Sequence, residues 1–172
     1  MNDRVVQREA RNIASDLRGR DDEHGLSDAE AECLRDLLGR SEAFTHLVRA
    51  QQAAVRVDQE MVGVDEGIHN KARDGAYQCG EAIDELVQEM VSDAEAIIAL
   101  ARELYDDGTW APVVDVYRAG YQSAEDLQEA DLQQLIADAS MHPTVAEQIV
   151  EAADALQEAD EAAGDCGGEM EA

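Results

Sequence analysis

Ala76-Tyr77-Gln78-Cys79-Gly80-Glu81-Ala82-Ile83-Asp84-Glu85-Leu86-Val87-Gln88-Glu89-Met90-Val91 is the stretch on which the fold turns. Its apolar residues Ala76, Cys79, Ile83, Leu86, Val87, Met90 and Val91 fall mostly three and four apart. That is the period of one helix face, not the alternation of a strand. The pattern reaches back through Ala72 to about Ile68. Gly75 and Gly80 lie inside it, each costing about 1 kcal/mol against Ala in a helix interior. A close helix crossing or a kink is therefore expected there. Ser92 with Glu95 forms a capping-box pattern. It either restarts a helix through Ile97, Ile98, Ala101 and Leu104 or lies within one long helix.

Upstream, the same spacing recurs. Val6, Ala10, Ile13 and Leu17 predict a helix over residues 3–18, followed by a charged loop from Gly19 to Gly25. Ser27 with Glu30 is a second capping box, opening a helix faced by Leu34, Leu37 and Leu38 that Gly39 is expected to stop. Ser41 starts a third helix, striped by Phe44, Leu47, Val48, Ala54, Val55, Met61 and Val62, with an interruption at Gly63–Gly67. Downstream of Asp106-Asp107-Gly108 the texture changes to short helices, about 110–119, 123–130, 131–138 and 143–160. The sequence thus predicts an all-α fold: an N-terminal helical bundle (residues 1–104), a small helical module (105–160) and a flexible, acidic, Gly-rich tail (161–172).

Composition narrows the chemistry. Hydrophobic residues make up 45% of the 172 but aromatics only 3%, so the core must be built from Leu, Val, Ile and Ala. Small side chains suit helix-on-helix packing. Forty acids stand against 13 Lys and Arg, a formal net charge of −27, and Lys71 is the one lysine. Such self-repulsion opposes the compact state; salt near 1 M shortens the screening length to about 3 Å and largely removes it. This carboxylate-rich, Lys-poor surface resembles that of proteins from salt-accumulating halophilic archaea. High charge with few aromatics is also the signature of disorder, but the regular apolar period argues for packed helices. No apolar run approaches the length of a membrane span, and Met1-Asn2-Asp3-Arg4 has no signal-peptide core. Cys33, Cys79 and Cys166 make no CxxC and cannot all pair within one chain. Reduced thiols in a cytoplasmic compartment are the expectation.

Residues 105–156 resemble a tandem helix-hairpin-helix domain. The carrying stretch is Tyr117-Arg118-Ala119-Gly120-Tyr121-Gln122-Ser123-Ala124-Glu125-Asp126-Leu127, then Ala130, Leu132 and Leu135, closing with Ala146-Glu147-Gln148-Ile149-Val150-Glu151-Ala152-Ala153. The physics fits independently: Gly120 can take a left-handed C-terminal cap, and Ser123 can cap the next helix with Asp126 beside it. The resemblance implies two contact hairpins, at Gly108-Thr109 and at Ser140-Met141-His142. The family's Gly-hydrophobic-Gly hairpin presents backbone N–H groups to a phosphate. Here only Gly108 remains, displaced from the family's positions, and cations after residue 101 are just Arg102 and Arg118.

Arg4, Arg8 and Arg11, four and three apart, share one helix face and form the better electrostatic candidate for nucleic acid; the competing reading is pairing with neighbours such as Asp3 and Glu9. Glu66-x-x-His69 is half of a di-iron bundle motif whose second half is absent, Glu42 and His46 having the wrong spacing. Cys33, His46, His69 and Cys79 are metal-ligating types at scattered positions; no metal or cofactor is expected. His142-Pro143 reads as a helix start, and Trp110 as an anchor. No phosphate loop, GxSxG or HExxH occurs, so no enzyme is expected. The expectation is a non-catalytic adaptor, docking nucleic acid or a nucleic-acid-processing protein in high salt, with its bundle serving self-association or partner docking. The rival is a structural assembly protein, such as a halophilic virus connector or scaffold; a metal-binding bundle is a third.

Overall fold

The computed structural model describes residues 4–20, 25–104 and 111–165. The described chain is helical: α1 (Arg4–Leu17), α2 (Asp28–Arg40), α3 (Glu42–Met61), α4 (Glu66–Leu104), α5 (Ala111–Arg118), α6 (Ala124–Gln128), α7 (Leu132–Asp138) and α8 (Pro143–Asp165). Among the described residues the only β pairing is an isolated bridge between Arg18 and Leu26. It closes the base of the first loop through Leu26 N–H to the Leu17 carbonyl at 2.9 Å. No described helix is long and apolar enough to cross a membrane. The chain divides into two compact units, residues 1–95 and 96–172, so that α4 contributes to both.

In the first unit α1, α2 and the start of α3 pack together. Val6, Ala10 and Ala14 of α1, Ala31, Leu34, Leu37 and Leu38 of α2, and Phe44 and Val48 of α3 are buried. The alanines in that set let the helix axes approach closely. Ser27 caps α2 in a complete box: its hydroxyl accepts the Glu30 N–H and the Glu30 carboxylate accepts the Ser27 N–H at 2.8 Å. Gly39 does not stop α2, which runs on to Arg40. The Gln7 amide lies over Gly39. A Cβ there would stand 3.0 Å from Gln7 Nε2, and that nitrogen donates to the Gly39 carbonyl at 3.2 Å. The stop comes two residues later, where extended Ser41 ends α2 and its hydroxyl caps α3 through the Phe44 N–H.

Helix α3 turns at residues 62–65 into α4. Gly63 supplies the left-handed turn residue (φ 72°), and the Asp65 carboxylate accepts the Ile68 N–H at 3.0 Å. The two helices run antiparallel, with His69 against Asp58 and Gly80 against Gln51. Continuing that register brings Val48 level with Ile83 and Phe44 level with Val87, all four buried. Helix α4 passes Ser92 unbroken, so the continuous alternative holds. Ala94, Ile97, Ile98 and Ala101 carry the buried stripe through that point. Gly80 sits at a close approach, 3.2 Å from its absent Cβ to Gln51 Nε2, whereas nothing lies within 4 Å of the corresponding point at Gly75.

In the second unit α8 packs against α6 and α7. Leu127, Leu135 and Ile149, three of the residues that carry the resemblance, are fully buried; Leu132 and Val150 are half-buried. Gln128 ties α6 to α8 by donating to the Ala153 carbonyl at 2.7 Å. Helix α8 runs through Asp165, taking in the first five residues of the expected tail; the rest of that segment lies outside the described residues.

Candidate functional site

Arg4, Arg8 and Arg11 are all exposed on α1, along one flank of its buried stripe. Arg18 continues the row. At 3.6 residues per turn the four lie within about 80° of arc, while Glu9 and Asp16 fall on another flank of the helix. Arg11 and Arg18 line a shallow groove of about 290 Å³ between α1 and α2, together with Ala14, Ser15, Ala31, Glu32 and Arg35. The arginine face thus spans two helices. In sequence Arg18 and Arg35 count among the arginines that add to the basic N-terminal half; Arg18 falls in line seven residues after Arg11, and the packing of α2 on α1 brings Arg35 alongside. Arg18 Nε lies 2.6 Å from Asp28 Oδ1, an ion pair with side chains 56% and 79% exposed. Such a pair holds by only about 0–1 kcal/mol, so Asp28 weakly occupies that end of the row.

The second expected hairpin is a tight turn between α7 and α8. Ser140 has φ 51°, the left-handed region that favours glycine. The Met141 N–H reaches back to the Ile136 carbonyl at 3.3 Å, closing the end of α7. A family-type hairpin would aim free N–H groups at a phosphate; this helix start engages its own. Pro143 has no N–H, Thr144 N–H donates to His142 Nδ1 at 3.3 Å, and the His142 carbonyl accepts from Val145 and Ala146. His142 is thus the N-terminal cap of α8. The other expected hairpin, Gly108 and Thr109, lies outside the described residues, as does Trp110.

The linker before α6 is a fixed element. Gly120 (φ 104°) closes α5, with the Tyr121 N–H on the Val116 carbonyl at 3.3 Å. The Tyr121 hydroxyl donates to Asp138 Oδ2 at 3.3 Å. Loss of solvation, then the Asp138 carboxylate, push its phenol above the ordinary value. The Ser123–Asp126 capping box is complete. The Asp126 carboxyl is held below the ordinary carboxylate range, first by the Gln122 N–H at 2.9 Å and next by the Ser123 side chain.

The metal-ligating residue types are dispersed. Cys33 is buried in the α2 core, His46 is exposed, and His69 Nδ1 lies 2.8 Å from Asp58 Oδ1 rather than near Cys79. Glu66 is exposed in the first turn of α4. Among the described residues no three of His, Cys, Asp and Glu gather as a metal would need. Asp58 is the partner that sequence reading missed, eleven residues before His69 across the helix turn.

A second surface feature was not legible in the sequence. Val55, Val57, Val62, Val64, Ile68 and Tyr77 are the large hydrophobics that stand exposed among the described residues, and all belong to the α3–α4 hairpin. Between Val48 and Ile83 not one residue is buried. An open apolar groove of about 380 Å³ runs there, lined by Ala53, Ala54, Val57, Ile68, Lys71 and Ala72.

No protein-family model matches this chain, and no curated protein or solved structure matches it significantly.

Proposed function

We propose that the chain is a non-catalytic helical adaptor that docks nucleic acid, or the nucleic-acid-bound face of a processing protein, in a salt-rich cytoplasm. The observation that carries this reading is the arginine face of α1 and α2, where Arg4, Arg8, Arg11, Arg18 and Arg35 stand exposed. The net charge of −27 belongs elsewhere: residues 81–172 hold two cations and 24 carboxylates, net −22. Guanidinium groups are suited to this work because their planar fork matches two phosphate oxygens at once. The α7–α8 turn supports the helix-hairpin-helix reading by its left-handed Ser140. Its self-engaged N–H groups and acidic surroundings favour a protein contact at that end.

The test is binding of labelled duplex and single-stranded DNA and RNA as KCl falls from 3 M, beside the variant Arg4→Glu/Arg8→Glu/Arg11→Glu. Retention by the wild type and loss in the variant is the expected result. Equal behaviour of the two, or no retention of nucleic acid or of any nucleic-acid-processing partner, would overturn the proposal. The second reading, a structural assembly protein, is favoured by the exposed apolar hairpin. A ring of many subunits in light scattering would establish it over the first.

A further inference from the structure

We infer that the end of the α3–α4 hairpin is a self-association surface, occupied by the same hairpin of a second copy of this chain in a two-fold antiparallel dimer. This inference stands on the hairpin alone and does not need the arginine face.

The charge pattern points to a second copy. Two chains of net charge −27 repel, and only a segment free of that excess can bring them together. Residues 43–80 hold four cations and five carboxylates, a net charge of −1. Within them the signs are sorted by height along the hairpin. The tip, residues 57–66 (the last turn of α3, the connection and Glu66), carries Glu60, Asp65 and Glu66 with no Lys or Arg, beside Asp58, which faces His69. The stem just below carries Arg49 and Arg56 on α3 and Lys71 and Arg73 on α4, with no carboxylate in residues 49–56 or 67–73. An antiparallel pair of hairpins that slide past each other lays each acidic turn on the partner's basic stem. A two-fold axis requires this self-complementarity, in which each patch meets the other and is met by it. Within one chain Arg56 and Glu60 pair at 3.0 Å, but with side chains 80% and 57% exposed that contact holds weakly and is easily exchanged.

The apolar surfaces match in the same register. Val62 and Val64 in the turn are 63% and 75% exposed, two hydrophobic knobs at the tip. The groove of Ala53, Ala54, Val57, Ile68 and Ala72 lies on the basic stem, with the aliphatic part of Lys71 along its edge. Sliding the turn of one hairpin over the groove of the other is an overlap of about ten residues, or about 15 Å of helix. Gly75 continues the line of Ile68 and Ala72 along α4, and beyond its own turn of helix nothing lies within 4 Å of where a Cβ would be. A glycine that costs about 1 kcal/mol in a helix interior and meets no neighbouring helix leaves the backbone open to a partner helix.

The experiment is the solution mass of the full chain at 1 M KCl and 100 µM, by light scattering or sedimentation equilibrium. Twice the 18.7 kDa chain mass is expected. Val62→Asp/Val64→Asp should reduce it to one chain, with unchanged far-UV circular dichroism because both side chains are exposed. Lys71→Glu/Arg73→Glu and Glu60→Lys/Glu66→Lys should each weaken the dimer alone, most at the lowest KCl in which the chain stays folded, and should recover it when mixed. A monomeric wild type, an assembly larger than two, or a dimer indifferent to the Val62 and Val64 changes would overturn the inference. Nucleic-acid binding measured on the same samples separates this from the functional proposal. A monomer that binds sinks the dimer only, and a dimer that binds nothing sinks the adaptor only.

Discussion

Neutralising the arginine row gives a worked prediction. Replacing Arg4, Arg8 and Arg11 by Gln removes three of the five guanidiniums of the face and leaves Arg35 and Arg18, the latter paired with Asp28. Each phosphate neutralised by a cation contributes about −0.9 to the slope of log affinity against log salt. Five contacts give a slope of about −4.5, so a tenfold rise in KCl weakens binding about 30,000-fold. With two contacts left the slope is about −1.8, and the same rise weakens binding about 60-fold. The three side chains are exposed, so their replacement should change stability by no more than about 0.5 kcal/mol. The assay is fluorescence anisotropy of a labelled duplex against protein at stepped KCl, with circular dichroism at each step to confirm the fold. A wild-type slope near zero, or the same slope in both proteins, would refute the assignment of this face to phosphate.

Other consequences are local. Ser140→Gly relieves a left-handed non-glycine residue and should stabilise the second unit by about 1 kcal/mol, read as a higher midpoint in urea at fixed KCl; destabilisation would mean that the Ser140 side chain contributes something the turn geometry does not show. Phe44→Ala empties a fully buried site where α3 meets α1 and α2 and should cost about 3–5 kcal/mol, raising the KCl needed to fold; an unchanged midpoint would contradict the placement of Phe44 in the core. The Asp126 carboxyl is held below its ordinary range in the folded chain, so the unfolded chain binds the extra proton. Its contribution is therefore present above the ordinary carboxylate range and lost as pH falls through the lowered value. The gap in melting temperature between wild type and Asp126→Asn should accordingly close towards acid pH; a gap that stays constant would exclude the capping role.

How much of this was readable from the sequence depended on how far each determinant reaches. The Ser27–Glu30 and Ser123–Asp126 caps were legible because donor and acceptor lie three residues apart. Ser92 with Glu95 has the same spacing and is not a cap, because the buried stripe through Ala94 and Ile97 holds the backbone helical there. Gly39 read as a stop, but α2 runs past it, and its carbonyl accepts from the Gln7 amide 32 residues away. Arg4, Arg8 and Arg11 were found from one-helix spacing; Arg35 needed the packing of α2 on α1. The apolar stripe of α3 looks the same in sequence whether its far end is covered or not. Only burial, which ends at Val48 and resumes at Ile83, separates the packed base from the exposed end.

We propose that these amphipathic helices pack beneath a carboxylate coat that needs salt to tolerate its own charge. Far-UV circular dichroism of the full chain, followed from 0.1 to 3 M KCl, tests that most directly. The account predicts a strongly helical spectrum in molar KCl that weakens as the salt is withdrawn. A chain that stays unfolded at 3 M KCl, or one whose spectrum shows substantial β-sheet, would contradict it.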